Sequence, residues 1–224
     1  KRAILPYFLQ VKQKNDVLWQ SWNVTSELEE RFIRSVRMKP RRTASGVATI
    51  TVITRPHTCS SNCIYCPCDL RMPKSYLANE PACQRAELTF FDPYVQVAAR
   101  LQALHQMGHS TDKVELIVLG GTWSDYPESY QYWFIKELFR ALNEWPNSPN
   151  HIKERLNWYT SFGLQNSEEA LSSFVAEQQA AVFDDTATYN QAFHKLYDIS
   201  QPHQSAWSQM QSTYDELVKQ QHVN

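Results

Sequence analysis

Val47-Ala-Thr-Ile-Thr-Val-Ile-Thr54, running directly into Arg55-Pro-His-Thr-Cys59-Ser-Ser-Asn-Cys63-Ile-Tyr-Cys66, is the stretch on which the reading of this chain turns. Its first half is a short apolar run rich in β-branched residues, the signature of a buried strand. Its second half places Cys59, Cys63 and Cys66 at CxxxCxxC spacing on the loop that leaves that strand. Three thiolates can hold three irons of a [4Fe–4S] cluster and leave the fourth open. An open iron takes an outside ligand, as an open position on a catalytic metal does. The alternatives are a structural zinc site, for which Cys68 and His57 would complete the ligand set, and unrelated buried thiols.

Outward from that loop, Asp92-Pro93 predicts a helix through Tyr94 to about Met107, with Asp92 as N-cap, Pro93 as its first residue and Gly108 as its stop. Val114-Glu-Leu-Ile-Val-Leu119 reads as a second buried strand, ended by Gly120-Gly121. A helix is expected from about Glu128 to Glu144, with Tyr132, Ile135, Leu138, Phe139 and Leu142 at core spacing. The Tyr130, Tyr132, Trp133 and Phe134 cluster reads as packing. Strand–loop–helix, twice over, is the repeating unit of a parallel barrel or sheet. In barrels the chemistry sits at the C-terminal ends of the strands, where both distinctive loops lie. The expected fold class is therefore α/β, the N-terminal portion of a (βα) barrel with additional helices at both ends.

Residues 1–58 hold 11 Lys/Arg against 4 Asp/Glu, and the remainder 11 against 19, so a +7 arm precedes a −8 body. Such asymmetry is a footprint of a nucleic-acid partner. Ser26 and Glu29 form a capping box that predicts a helix to about Met38. On it Arg31, Arg34 and Arg37 share one face, with Leu28, Phe32 and Val36 on another, and the basic face continues into Lys39, Arg41 and Arg42. These six are candidate phosphate contacts; the alternative is a solvated basic face.

From about Pro146 the chain turns rich in Gln, Ser, Asn and Glu. It reads as helical over Ser167–Val182, Thr186–Tyr197 and Gln204–Gln220, without a third buried strand. The expected organisation is a basic, mainly helical region over 1–38, a core over 39–145 and a helical extension or insertion over 146–224. A hydrophobic fraction of 42% with 20% charged residues is ordinary globular composition. No apolar run approaches the roughly 20 residues that span a bilayer, and the first residues show no signal-peptide pattern. Five cysteines, three in one loop, are not a disulfide framework. A reducing cytoplasm and no membrane partner are expected.

Several short motifs form one pattern: Lys39-Pro-Arg-Arg-Thr-Ala-Ser-Gly-Val47, Arg55-Pro-His-Thr-Cys59 to Cys66-Pro67, Ser75-Tyr76, Glu80-Pro81, Arg85, Asp92-Pro93-Tyr94, Gly108-His-Ser110, Asp112 to Val118 and Gly120-Gly-Thr122. This pattern, over roughly residues 39–143, resembles the catalytic subunit of Elongator and its single-protein bacterial and archaeal relatives. The cysteine spacing itself resembles the cluster loop of radical S-adenosylmethionine (SAM) enzymes. The resemblance implies a radical SAM domain joined to an acetyltransferase domain, the latter absent from these residues. It implies modification of the wobble uridine in the anticodon stem-loop of tRNA to 5-carboxymethyluridine, with SAM cleaved reductively to a 5′-deoxyadenosyl radical and acetyl-CoA as cosubstrate. Cys59, Cys63 and Cys66 match the cluster ligands, and Gly120, Gly121 and Thr122 the backbone turn at the methionine end of SAM. Tyr65 is a candidate for packing over the adenine, with core packing as the alternative. Lys74, Tyr76 and Arg85, read as a loop before the second helix, match positions of substrate or acetyl-CoA contact. Two departures stand out: only three residues separate the first two cysteines, and Cys68-Asp69 stands where Gly-Gly is common. A radical SAM enzyme acting on a small molecule or peptide, and a non-catalytic tRNA-binding module with a structural metal, are the rival readings.

Overall fold

The computed structural model describes residues 3–183 and 185–221; Lys1 and Arg2, counted in the basic arm, lie outside them. Two strands, β1 (Ala48–Ile53) and β2 (Val114–Leu119), form a two-stranded sheet. They run parallel: Ala48 N–H bonds Lys113 O at 2.8 Å, and Thr54 N–H bonds Leu119 O at 2.9 Å, with both partners advancing together. Ten helices are described: α1 (Ile4–Lys14), α2 (Val17–Ser21), α3 (Ser26–Val36), α4 (Pro81–Leu88), α5 (Pro93–Gln106), α6 (Glu128–Asn143), α7 (Ile152–Ser161), α8 (Glu168–Gln179), α9 (Thr186–Phe193) and α10 (Gln201–Gln221). The molecule is thus α/β, and the chain divides into two compact units, one up to Ile50 with Ala99–Ile117, the other Thr51–Ala98 with Val118 onward.

In the first unit Leu5, Phe8 and Val11 bury one stripe of α1. Phe8 packs among Trp19, Trp22 and Phe32, with ring centroids 5.4, 6.3 and 4.6 Å away. Asp16 caps α2 by accepting from the Leu18 and Trp19 N–H groups. The cap of α3 is Thr25, not Ser26: Thr25 is extended and its hydroxyl accepts from Leu28 N–H, which leaves Ser26 already helical. The helix also ends at Val36, two residues short of expectation. Arg37 leaves helical geometry there, and its Nε donates to Gly108 O at 2.8 Å. Gly108 stops α5 at φ +84°, where a Cβ would come within 2.9 Å of Leu5. Only glycine meets both conditions.

The second unit is built around the exit of β1. The Gln96 amide on α5 accepts from Ile53 N–H at 2.8 Å and donates to Ile53 O at 2.9 Å, standing in for a neighbouring strand. Asp92 accepts from Val95 N–H as the expected cap of α5. Its other oxygen is held by Arg155 and by the Tyr159 hydroxyl on α7. Arg155 also pairs with Glu137 of α6 at 2.7 Å, so the buried carboxylates are matched by a partly buried guanidinium.

The burial of β2 and of α6 also differs from expectation. β2 is not buried: Ile117 and Val118 are exposed, because no third strand pairs with it among the described residues. On α6, Tyr132, Ile135 and Phe139 are exposed, and the core face is Tyr130, Trp133, Phe134, Leu138 and Ala141. The helix carries two apolar stripes, and the one with the larger rings faces the core. Tyr132 instead meets Tyr214 of α10, with centroids 5.6 Å apart.

Candidate functional site

The three cysteines lie on an irregular loop leaving β1, all free thiols. Cys59 is buried, whereas Cys63 and Cys66 are partly exposed. A turn, Cys66 N–H to Cys63 O at 3.1 Å, brings the latter two together. Two other segments meet this loop. Thr122, in the turn after β2, places its hydroxyl 3.4 Å from Cys59 Sγ. Ser75, in the strained backbone at φ +81°, places its hydroxyl 3.0 Å from Cys66 Sγ. Of the residues singled out in sequence, the fold therefore gathers the cysteines, the Gly120–Thr122 turn and the 74–76 loop.

The two glycines of that turn differ. A Cβ on Gly120 would lie 1.9 Å from Thr54 Oγ1, so its lack of a side chain is required by the approach of β2 to β1's end. A Cβ on Gly121 would meet only Lys74, at an ordinary 3.7 Å. Space at Gly121 is thus not demanded by the protein's own packing.

Lys74 is almost wholly buried and donates to Cys68 Sγ at 2.8 Å, with its ammonium 5.2 Å from the Tyr189 ring centre. It forms part of the site's wall. Tyr76 is half-buried, and burial raises its phenol above the ordinary value. Arg85 is on α4, not in a loop. Tyr65 is 84% exposed and Ile64 91%, which excludes the core-packing alternative for Tyr65. Two large apolar side chains held in water between cysteines leave a surface open to an apolar or aromatic ligand.

Elements far away in sequence hold the loop, and these contacts had no signal in the sequence reading. The Asn190 amide on α9 clamps Cys59, accepting from its N–H at 3.1 Å and donating to its carbonyl at 2.9 Å. Thr186 donates to Ser61 O, and Asp125 accepts from both the backbone and hydroxyl of Ser60. Gln179 on α8 repeats the clamp on Leu70 N–H and Cys68 O, both at 2.8 Å. His57 Nε2 sits 2.9 Å from Asp125 O, which can only accept, so Nε2 carries the proton. Burial, with Arg55 adding to it, lowers the His57 pKa to about 4, and its Nδ1 is buried without a partner.

Among the described residues no three Cys, His, Asp or Glu side chains close on one metal position. The donor set nevertheless fits an iron–sulfur cluster in its chemistry: three free thiols on one loop, two of them solvent-facing. Cys68 is engaged by Lys74 and stands apart from that set.

The basic residues divide. Arg34 pairs with Glu30, and Arg37 is committed to Gly108. Arg31, Lys39, Arg41 and Arg42 are exposed. Lys39, Arg41 and Arg42 are not on the face of α3 but around a 3-10 turn, Pro40–Thr43, that follows it.

A parallel βα arrangement with a three-thiol loop and a glycine turn at adjacent strand ends defines the class of site. Relatives define it further. No protein-family model matches the chain. It is 41% identical over 139 residues to a tRNA uridine(34) acetyltransferase of Methanocaldococcus infernus, covering 59% of this chain and 26% of that protein. It is 48% identical over 105 residues to a tRNA uridine(34) acetyltransferase of Dehalococcoides mccartyi, 47% and 23% of the two chains. It is 41% identical over 127 residues to Elongator complex protein 3 of Schizosaccharomyces pombe, 52% and 23%. The chain spans about a quarter of the length of these relatives. Over about half of its own length the chain is similar to proteins named tRNA uridine(34) acetyltransferase and Elongator complex protein 3.

Proposed function

We propose that this chain carries the cluster loop and SAM-facing turn of a radical SAM enzyme that modifies the wobble uridine of tRNA to 5-carboxymethyluridine, acetyl-CoA supplying the acetyl group through a domain outside these residues. The reading is supported above all by identity with proteins named tRNA uridine(34) acetyltransferase, together with three free thiols on one strand-end loop. It takes β1, β2 and their helices as the first units of a (βα) barrel within residues 39–145, flanked by a basic region over 1–38 and a helical extension over 146–224. The proposed compartment is the cytoplasm; no described helix is long and apolar enough to cross a membrane.

Cys59, Cys63 and Cys66 would hold a [4Fe–4S] cluster, which when bound supplies the electron for reductive cleavage of SAM. Asn190 and Asp125 fix the loop backbone on both sides of Cys59, so that thiol is positioned before any ligand arrives. Gly121 offers bare backbone to the ligand, and Thr122 a hydroxyl beside Cys59. Tyr65, unsupported by the core, is free to cover an aromatic base. Lys74 and Cys68, joined by their hydrogen bond, form the wall behind the loop. Arg31, Lys39, Arg41 and Arg42 would meet tRNA phosphates. Reconstitution with iron and sulfide, followed by assay of 5′-deoxyadenosine from SAM, tests the reading; alanine at any of the three cysteines is expected to abolish the product.

A further inference from the structure

Arg55 follows β1 directly and is only 8% exposed. The partly buried guanidiniums of its unit are matched by carboxylates: Arg71 forks onto both oxygens of Glu87, and Arg155 pairs with Asp92 and Glu137. Arg55 has no carboxylate among the described residues. Its guanidinium lies 3.6 Å over the Trp207 ring and 5.0 Å from the Tyr130 ring centre. Ring faces offset part of the cost of burying the charge. They accept nothing from the N–H groups at the guanidinium's edge. Nη1 donates to Pro56 O at 3.3 Å, and Nε is buried with no partner. Burial lowers the Arg55 pKa, and only tyrosines act against it. A buried charge is ordinarily paired.

Beside Arg55 is a cavity of about 60 Å³, walled by Arg55, Tyr130, Tyr159, Tyr197, His203 and Trp207 among others. The space is larger than the roughly 10–15 Å³ one water occupies, so it takes a small polyatomic ligand. The charge around it is simple. Arg71 and Glu87 cancel as a forked pair, and burial holds the tyrosines protonated. His203 is neutral near pH 7, burial and then Arg55 lowering its pKa to about 4. One net positive charge asks for a monoanion. A flat, two-oxygen group suits the edge of a guanidinium, and aromatic walls suit a short apolar tail.

We propose that this cavity is a binding site for a small monocarboxylate, with its carboxylate on Arg55 and its apolar end against the aromatic wall. The inference is independent of the proposed function. It is tested on the full 224-residue chain by titrating sodium acetate at constant ionic strength, with acetamide as the neutral isostere and chloride as the salt control. Tryptophan fluorescence, which senses Trp207, and the unfolding temperature are the readouts. The expected result is a saturable response to acetate alone. Arg55→Lys keeps the charge but loses the forked edge, and should weaken the response about 10- to 100-fold. Because altering Arg55 can disturb folding, Ala206→Leu provides a second route: it fills the cavity with Arg55 intact and should abolish saturation in a protein whose circular dichroism is unchanged. No saturable response, an equal response to acetamide or chloride, or undiminished acetate binding in Ala206→Leu overturns the proposal.

Discussion

Gly120 and Gly121 adjoin in sequence yet answer to different constraints. A methyl group at 120 would run into Thr54, so Gly120→Ala is expected to cost about 1–3 kcal/mol by overpacking. Urea denaturation would measure it, with or without any ligand. A methyl group at 121 meets only the Lys74 stem, so Gly121→Ala should change stability by less than about 0.5 kcal/mol. Its effect should fall on SAM affinity instead, read by equilibrium dialysis of the iron-loaded protein. Loss of stability at 121 with SAM binding intact would contradict the assignment of that glycine to the ligand. Asn190→Ala removes both bonds of the clamp on Cys59, worth about 1–3 kcal/mol together. Alkylation of Cys59 in the metal-free protein should then accelerate, and that of Cys83 should not, since Cys83 is buried and far up the scale at about 12.

At the scale of elements, the strands and α5 were legible because their signals are local. β-branched runs mark β1 and β2, and Asp92-Pro93 with Gly108 punctuates α5 at both ends. α3 and α6 were legible as helices, but not the cap and end of α3, where Thr25 and Ser26 compete, nor the core face of α6, which offers two apolar stripes. α1, α2 and α7 fall in regions expected to be helical but without individual bounds, and α4 was read as loop; α2 and α4 are short, and tertiary packing outweighs propensity in such pieces. The cysteines and the glycine turn could be picked out by spacing and resemblance. Asn190 and Gln179 could not, since a single amide 131 or 109 residues from the backbone it holds leaves no local pattern. Charge reversal at Arg41 and Arg42 is a cleaner probe of tRNA than any change at Arg37, which holds Gly108. With four exposed cations as contacts, log affinity against log salt should slope at about −3 to −4. The double reversal should flatten that slope for all tRNAs alike, as phosphate contacts carry no sequence information. Unchanged affinity at physiological salt would leave these residues a solvated face.

For the whole molecule, stability should fall on mild acidification. His203 is partly buried, and that burial, with Arg55 adding to it, lowers its pKa from 6.5 to about 4. Its unfolded form therefore binds a proton between those values when the folded form does not. The resulting stability is present above about pH 6.5 and is lost as pH falls toward 4, to an extent of up to about 3 kcal/mol. Glu87, held above its ordinary value by burial, works in the opposite sense near the bottom of that window. Urea midpoints at pH 7 and pH 5 should differ, and His203→Gln should narrow the gap. The central claim is that the loop of Cys59, Cys63 and Cys66 is built for a SAM-binding cluster. Anaerobic reconstitution, with iron counted and the EPR spectrum of the reduced protein recorded with and without SAM, tests it most directly. About four irons per chain, and a cluster signal that changes when SAM is added, are the expected results; stoichiometric zinc that iron does not displace, with no response to SAM, would contradict the account.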